Sequence, residues 1–345
     1  MSPRYLQGRL APCATRAFRS LEGHPVKHNH IVIVFGLMLA ALTAAPAYAQ
    51  RVYVASQGSD ANNCSLQLPC RSLQHALTIS NAGGEIAILD TGGYNGGTTV
   101  TINKAISIVN QGGYEAGISF LSGVPGIVIN AGPNDAVSLR GLTIEGAGVG
   151  TTGIQFNSGK SLTVENSVIR HMTNDGIDFL STTAKSALTV SNSLVADNGG
   201  QGILLHPTGS ATAVFNRVEA NNNLGDGIIV DGGNSAGTNT INATVFDSVA
   251  SENTSVGFGS FTQSGHAPTS LMVSHSVTAN NGIGVAAASA GAILTGAILR
   301  LANSTVTGNG TGWEALGGGE VDSYGDNYTD GNGTNTGSLG SVSKQ

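Results

Sequence analysis

The densest group of chemically competent side chains in this chain lies between Arg170 and Asp178, in the sequence RHMTNDGID. Asp175 and Asp178 place two carboxylates three residues apart, and Arg170 adds a cation. A pair of carboxylates can share the roles of general acid and general base in the cleavage of a glycosidic bond. If the protein is an enzyme, we expect Arg170, Asp175 and Asp178 to be its catalytic residues.

Polar residues farther along the chain extend this cluster. Lys185, His206 and Asp231 are predicted to bind a substrate, because they add charge and hydrogen-bonding groups from neighbouring parts of the sequence pattern. Calcium is held by several carboxylate oxygens, so a group of aspartates could bind it. The predicted calcium ligands are Asp175, Asp178 and Asp226. Aspartate is also an ordinary turn residue, and the sequence leaves open whether any cofactor binds.

A recurring glycine predicts the elements that position these side chains. A glycine followed by an apolar residue returns about every 27 residues, and the residue after it is predicted to point inward. A fixed period of this size indicates stacked structural repeats that bury their apolar faces against one another. The copies begin at Gly126, Gly153, Gly176, Gly202 and Gly227, with weaker copies at Gly257, Gly284 and Gly312.

A second motif precedes these glycines and predicts two short strands in each repeat. One copy is LTVENSVIRHMTN from Leu162, in which apolar residues alternate with polar ones. Alternation with period two indicates a strand with one buried face. The predicted inward columns are Val164, Val190, Val214, Val245, Val273 and Leu301, then Val168, Leu194, Val218, Val249, Val277 and Thr305.

Two columns of mostly asparagine lie between and after these strands. Asparagine tolerates the left-handed backbone conformation of tight turns, and stacked amides can form a ladder of hydrogen bonds between repeats. We therefore expect a structural role for both columns. They are Asn166, Asn192, Asn216, Asp247, His275 and Asn303, followed by Asn198, Asn222, Asn253, Asn281 and Asn309.

Repeats of 23 to 30 residues with this pattern resemble the right-handed parallel β-helix of the pectin-lyase-like superfamily. The resemblance covers Gln50 to about Asn332. It implies an all-β fold, a single-stranded right-handed parallel β-helix (solenoid). The segment from Ser72 to Leu77 has apolar residues at helical spacing and predicts an N-terminal helical cap.

The predicted boundaries are a signal peptide over 1–49 and a right-handed parallel β-helix domain over 50–345. Within that domain, residues 50–125 form the N-terminal cap and first coils, 126–316 the regular coils, and 317–345 the C-terminal cap and tail. The period fades after Trp313, which sets the last of these boundaries.

The segment NDGID also resembles a motif of polygalacturonase-type glycoside hydrolases. Those enzymes carry a paired aspartate, a Gly-His-Gly and an Arg-x-Lys as well, and this chain has none of the three. We therefore predict a polysaccharide-associated surface or secreted binding protein without a complete catalytic motif. One alternative is a calcium-dependent uronic-acid polysaccharide lyase or polygalacturonase-like hydrolase. The other is a structural envelope or matrix component.

The first 49 residues predict export. A basic segment, an apolar run from Ile31 to Leu42 and the sequence AYA before Gln50 are typical of a signal peptide cleaved after Ala49. An uncleaved membrane anchor is the alternative, because Ile31 to Gln50 carries no charge. Cleavage would leave a secreted, periplasmic or cell-surface protein without a membrane span.

Residues 50–345 hold ten Lys or Arg and twenty Asp or Glu, a formal charge of −10. This charge argues against a nucleic acid partner and repels acidic polysaccharides unless a divalent cation bridges the two. A plant or bacterial polysaccharide, acidic or otherwise, is the predicted partner of a monomeric protein. In an exported chain, Cys64 and Cys70 predict a small disulfide loop.

Overall fold

The computed structural model describes residues 50–120, 123–291 and 296–344. The predicted signal peptide lies outside these residues. One short helix, α1 (Leu73–Ile79), accompanies a series of short strands. The strands are β1 (Arg51–Val54), β2 (Gly84–Ile88), β3 (Gly92–Gly93), β4 (Val100–Ile102), β5 (Ile106–Asn110), β6 (Ala116–Ser119), β7 (Ile127–Asn130), β8 (Ala136–Arg140), β9 (Leu142–Glu145), β10 (Ile154–Ser158), β11 (Ser161–Glu165), β12 (Val168–Arg170), β13 (Ile177–Phe179), β14 (Lys185–Ala196), β15 (Ile203–Leu205), β16 (Ser210–Asn221), β17 (Ile228–Asp231), β18 (Ile241–Phe246), β19 (Val249–Ser251), β20 (Val256–Gln263), β21 (Thr269–Ser274), β22 (Val277–Ala279), β23 (Ile283–Ala290), β24 (Ala297–Ala302), β25 (Thr305–Thr307), β26 (Thr311–Leu316), β27 (Glu320–Ser323), β28 (Thr334–Thr336) and β29 (Leu339–Ser341).

These strands stack in parallel register as the coils of a solenoid. Strands that contain or directly follow the recurring glycines form, together with β4 and β28, a sheet of ten. The other strands form a sheet of nineteen, in which two columns of strands are joined by the long strands β14 and β16. Each coil therefore has three sides. The predicted parallel β-solenoid is confirmed.

The interior of the solenoid is filled by aligned apolar columns. Ile154, Ile177 and Ile203 are paired across neighbouring strands and fully buried, as predicted for the residue after each glycine. Phe156 and Phe179 stack two residues farther on, with ring centroids 4.4 Å apart. Close contact between like side chains of successive coils is what excludes water from a solenoid.

The second predicted inward column was wrong except at Val218, because the corner before it reverses the alternation. Val218 is fully buried and lies in a repeat whose register is offset by one residue. Asn166 has φ of 50°, and after this left-handed residue Val168 faces outward and is half-buried. The residues of the observed inward column lie one position later in the sequence, and two positions later in the repeat of β16. They are Ile169, Val195, Ala220, Ala250, Thr278 and Val306.

The repeat that contains β16 is offset by one residue from the sequence alignment. Phe215, not Val214, pairs with Val190 and is fully buried, whereas Val214 is 46% exposed. The sequence of this segment allows either Val214 or Phe215 to face inward, since a one-residue shift exchanges the two faces of a strand. The register that buries the larger phenyl ring is the one adopted, because it removes more apolar surface from water. The same offset replaces Asn216 by Arg217 at the left-handed corner, where φ is 53°.

The second asparagine column forms the predicted ladder, with Asn223 in place of Asn222. Asn223 donates from its Nδ2 to Asn253 Oδ1 at 2.9 Å, and Asn253 donates to Asn281 Oδ1 at 2.9 Å. Equivalent bonds extend the ladder to Asn198 at one end and, through Asn309, to Asn332 at the other. The ladder residues from Asn198 to Asn309 are buried, while the left-handed position is the residue before each of them, such as Asn222 with φ of 53°.

A second ladder, of serine hydroxyls, was not predicted. Ser248 Oγ accepts from Val218 N at 3.1 Å and donates to Phe246 O at 2.8 Å. Ser276 repeats the arrangement one coil later, accepting from Ser248 N at 3.1 Å. These buried hydroxyls satisfy backbone groups at the corner where the strand pairing is interrupted.

The recurring glycine allows successive coils to approach closely. A Cβ atom on Gly227 would lie 2.5 Å from Gly257 O and 3.0 Å from Asn253 Nδ2. The other copies face the carbonyl oxygen of the following glycine in the same way, at 2.6 or 2.7 Å from Gly126 to Gly284. The period visible in the sequence therefore marks where the backbone passes against the asparagine ladder.

The N-terminal end is closed by α1 and a disulfide, both as predicted. Leu73, Ala76 and Leu77 are buried where α1 packs on β1, β2 and β4. Cys64 and Cys70 are joined in a disulfide and are fully buried. At the other end, β27 and β29 continue the parallel ladder to Ser341. Within the described residues, no helix is both long and apolar enough to span a membrane.

Candidate functional site

Asp175 and Asp178 lie on the outside of the ten-stranded sheet. Asp178 is the outward residue of β13, where it pairs with Gln155 on one side and Leu204 on the other. Asp175 precedes the recurring Gly176, and Asp226 holds the same place before Gly227. The fold thus brings the predicted aspartates to one face of the solenoid.

A histidine completes the most ordered polar contact on this face. His206 Nε2 lies 2.6 Å from Asp178 Oδ1, and both side chains are less than one-fifth exposed. Asn234 Nδ2 lies 2.9 Å from His206 Nδ1, which fixes this nitrogen as an acceptor and Nε2–H as the donor to Asp178. The prediction that His206 belongs with Asp178 thus has a geometric basis, although a role in substrate binding stays a prediction.

Asp175 and Asp226 each form a hydrogen bond that joins two successive coils. Asp175 Oδ1 accepts from Gln201 N at 2.8 Å, and Asp226 Oδ1 accepts from Val256 N at 2.8 Å, so each ties its coil to the next. Burial raises the pKa of Asp175, and the charges of Asp178 and Asp226 add to the rise, against the hydrogen bond from Gln201 N. Asp175, Asp178 and Asp226 do not converge to within 4.8 Å as a metal cluster in the described residues, and the calcium site stays a prediction.

We expect Asp175→Asn to leave the free energy of unfolding unchanged or raised near neutral pH. The amide oxygen can still accept from Gln201 N, and the cost of burying a charge disappears. Asp175→Ala should lose about 1–3 kcal/mol, because Gln201 N–H is left without a partner.

The raised pKa of Asp175 also gives a pH dependence. The unfolded chain ionises first, so wild-type stability falls as pH rises from the unfolded-state to the folded-state pKa of this group. The Asn variant lacks this loss. Urea unfolding at a series of pH values measures the difference, and a difference that is constant with pH would contradict the assignment.

Arg170 does not join the aspartates. It lies on β12 of the nineteen-stranded sheet, where its Nε is 2.7 Å from Glu145 Oε2. His171 Nδ1 lies 2.7 Å from Glu145 Oε1, and His171 Nε2 lies 3.8 Å from Asp197 Oδ2. Arg170, His171, Glu145 and Asp197 therefore form a separate charged cluster at the corner after β12, here called the Glu145 cluster.

Glu145 is the centre of this cluster. Burial alone would raise the pKa of Glu145, but hydrogen bonds from Ala147 N, His171 and Arg170 together outweigh burial and hold the pKa below its ordinary value. Glu145 is therefore ionised at neutral pH and compensates the charge of Arg170. Glu145 was not predicted from the sequence, although it pairs with Arg170 across β9 and β12. Glu145 holds the place of Arg170 in the preceding repeat, so an alignment that included that repeat would have placed the two opposite charges side by side.

Lys185 and Asp231 lie apart from both groups. Lys185 begins β14 and lines a cleft of about 510 Å³ together with Thr238 and Thr240. Asp231 ends β17, and its Oδ1 accepts from Gly233 N at 2.7 Å, a bond typical of an aspartate turn. Their predicted roles in substrate binding stay predictions.

Three neighbouring clefts lie along the outer face of β9 and at the corners before and after it. The first, of about 240 Å³, contains Tyr114, Arg140 and Thr143. The second, of about 300 Å³, shares Thr143 and ends at Glu145. The third, of about 520 Å³, contains His171, which is bonded to Glu145. We call these three neighbouring clefts together the β9 groove.

The β9 groove runs from one corner of the coil to the next. Tyr114, which is 51% exposed, stands in the first cleft, and Leu224, which is 69% exposed, stands in the third. Between them the lining is mostly hydroxyl, carboxylate and glycine, including Thr91, Ser119 and Gly117. Polar groups thus occur in each of the three clefts, with a large exposed side chain at each end of the groove.

Comparison with known families decides what the fold represents. The family model of the right-handed β-helix region matches residues 75–246 and 125–336, which together cover most of the chain. The chain belongs to the right-handed β-helix family. The predicted right-handed parallel β-helix is thereby confirmed. No curated protein sequence matches significantly.

Solved structures share the fold of this right-handed β-helix at low sequence identity. An alginate lyase from Paenibacillus sp. str. FPU-7 aligns with a TM-score of 0.58 and 14% identity, over 85% of this chain and 100% of the lyase. XylC, solved in complex with xylose, aligns with a TM-score of 0.55 and 10% identity, over 81% of this chain and 68% of XylC. At these identities the likeness shows the fold.

Proposed function

We propose that this right-handed β-helix is an exported protein that binds polysaccharide in the β9 groove. The observation that carries the proposal is the succession of three clefts along β9. Two of them share Thr143, and the Glu145–His171 bond lies between the second and the third. A row of clefts along a whole side of the coil fits an extended chain of sugars better than a compact ligand.

The lining of the β9 groove suits sugar rings. Thr91, Ser119 and Thr143 offer hydroxyls that can exchange hydrogen bonds with sugar hydroxyls, and Asn222 offers an amide. Tyr114 exposes an aromatic ring against which the apolar face of a sugar can pack, with its hydroxyl free to bond. This combination of an aromatic platform and polar groups gives both contact area and orientation.

The charge of the groove favours a neutral polysaccharide. Arg170 is already paired with Glu145, while Glu115 and Asp197 add further carboxylates to the lining. The formal charge of −10 over residues 50–345 also repels a negatively charged polyuronate. We expect acidic polysaccharides to bind only where calcium bridges them to these carboxylates.

Two further observations support an exported, carbohydrate-associated role. The Cys64–Cys70 disulfide belongs to an oxidising compartment, in agreement with the predicted signal peptide. The similar structures include an alginate lyase and a protein solved with xylose. These similarities support a carbohydrate ligand for the present chain as well.

Filling the groove tests the proposal. Thr143 faces outward and lines two of the clefts, so Thr143→Arg should obstruct the groove without disturbing the core. We expect affinity for the polysaccharide that binds best to fall at least about tenfold, which corresponds to 1.4 kcal/mol. Affinity electrophoresis against neutral polysaccharides and polyuronates, with calcium and with chelator, measures this loss.

Thr189→Arg is the matched control. Thr189 is also an outward, half-buried threonine of the nineteen-stranded sheet, but it does not line the three clefts. Its substitution should change affinity by less than about twofold. Equal loss in both variants would reject the groove as the binding site. Release of unsaturated uronides during the same experiments would instead support the lyase alternative.

A further inference from the structure

The cleft that contains Lys185 differs in charge from the rest of the protein. Its lining combines this lysine with hydroxyl side chains, among them Ser210, Thr212, Thr238 and Thr240, and includes no carboxylate. The chain around it is acidic, with a formal charge of −10 over residues 50–345. None of its lining residues belongs to the β9 groove. We call this second depression the Lys185 cleft.

Lys185 has no counter-ion within the part of the chain that the structure describes. Of the ten Lys and Arg in residues 50–345, eight use their side chains in an ion pair or a hydrogen bond there. The two that do not are Lys160 and Lys185, and both are exposed. The ammonium group of Lys185 therefore keeps its charge and its three N–H donors available to a ligand.

One wall of the Lys185 cleft is a well-anchored segment between β17 and β18. This segment is longer than the corresponding connections of the two preceding coils. Ser235, which is 1% exposed, donates from its Oγ to Thr208 O at 3.1 Å and accepts from Asn239 Nδ2 at 3.0 Å. Thr240 N donates to Ser210 Oγ at 3.2 Å, which ties the segment to the start of β16. A wall held in this way needs little further ordering when a ligand binds.

Three threonines supply unused donors to the Lys185 cleft. Thr212, Thr238 and Thr240 are exposed, and their hydroxyls have no hydrogen-bond partner among the described residues. Together with Lys185 at the start of β14, they come from three successive coils. Donors that approach from several coils suit a ligand whose acceptor oxygens point in several directions. The oxygens of a tetrahedral oxyanion do so, whereas a carboxylate offers two oxygens in one plane.

We propose that the Lys185 cleft binds the sulfate or phosphate group of a substituted sugar. The ammonium group of Lys185 would pair with the oxyanion, and the threonine hydroxyls would donate to its remaining oxygens. The cleft has a volume of about 510 Å³, which leaves room beside the oxyanion for the sugar that carries it. This site is separate from the β9 groove and would recognise a charged substituent.

Titration of the protein with glucose 6-sulfate and glucose 6-phosphate, followed by NMR at low salt, tests the proposal. Glucose and glucuronate are the uncharged and the carboxylate comparisons. We expect at least one ester to bind at least about tenfold more tightly than either comparison, and the tighter ester identifies the preferred oxyanion. Lys185→Gln should weaken its binding at least about tenfold, and Thr238→Val at least about threefold.

Lys160→Gln is the matched control. Lys160 is also exposed and unpaired and lies in the preceding coil, where its O accepts from Ala187 N at 3.1 Å, but it does not line the cleft. Its substitution should change ester affinity by less than about twofold, and so should Thr143→Arg in the β9 groove. The proposal is overturned if neither ester binds better than glucose, or if glucuronate binds equally well. It is also overturned if Lys185→Gln binds as wild type does, or if Lys160→Gln loses as much affinity.

Discussion

Gly227→Ala should destabilise the protein by about 3 kcal/mol, at the upper end of the range for overpacking a well-filled site. The new Cβ would lie 2.5 Å from Gly257 O, 3.0 Å from Asn253 Nδ2 and 3.1 Å from Ala250 Cβ. The first two belong to the backbone ladder and to a buried amide, so neither can move without breaking hydrogen bonds. Chemical unfolding followed by circular dichroism measures the loss.

Gly93→Ala is the control for this variant. Gly93 also lies in a strand, but a Cβ there meets nothing within 4 Å, and its φ is not in the left-handed region. The substitution should be neutral or slightly stabilising, because alanine restricts the unfolded chain. If the two variants were equally stable, close approach of the coils at Gly227 would not be the reason for the recurring glycine.

Asn253→Ala should cost about 3–5 kcal/mol, because several buried partners lose their hydrogen bonds at once. Asn253 Oδ1 accepts from both the N and the Nδ2 of Asn223, and Asn253 Nδ2 donates to Ala220 O and Asn281 Oδ1. Alanine satisfies none of these groups, and Asn253 is 1% exposed, so water cannot replace the amide without opening the coil. Thermal and urea unfolding of the variant give the free-energy change.

Asn242→Ala controls for the change of residue type in the same coil. Asn242 is an exposed, outward residue of β18, and its substitution should alter stability by no more than about 0.5 kcal/mol. A small effect at Asn253 as well would mean that the ladder is a consequence of stacking and contributes little to holding the coils together.

The sequence predicted the architecture because the same constraint recurs in every coil. The glycine, the inward residue after it and the ladder asparagine each repeat, so one interpretation is checked many times along the chain. It failed where repetition is ambiguous. At β16, Val214 and Phe215 both continue an alternating pattern, and only the buried ring shows which register the coil adopts.

The candidate site was harder to predict because it depends on residues that do not repeat. Asp178 and His206 could be associated from the sequence, since both lie at outward positions of successive coils. Arg170 was grouped with them by proximity in the chain. The corner at His171, with φ of 57°, carries the backbone onto another side of the solenoid, so residues a few positions apart face different directions. The contact between Arg170 and Glu145 spans 25 residues, one full coil.

Hydroxyl-radical footprinting with bound polysaccharide tests the central claim most directly. Tyr114, His171 and Leu224 line the β9 groove and are exposed, while Tyr328, 76% exposed, and Phe246, 38% exposed, lie outside it. We predict that the ligand lowers oxidation of the first three and leaves the other two unchanged. Unchanged oxidation of Tyr114 and Leu224, with protection of His206 on the ten-stranded sheet, would contradict the groove and place the ligand on the face that carries Asp178.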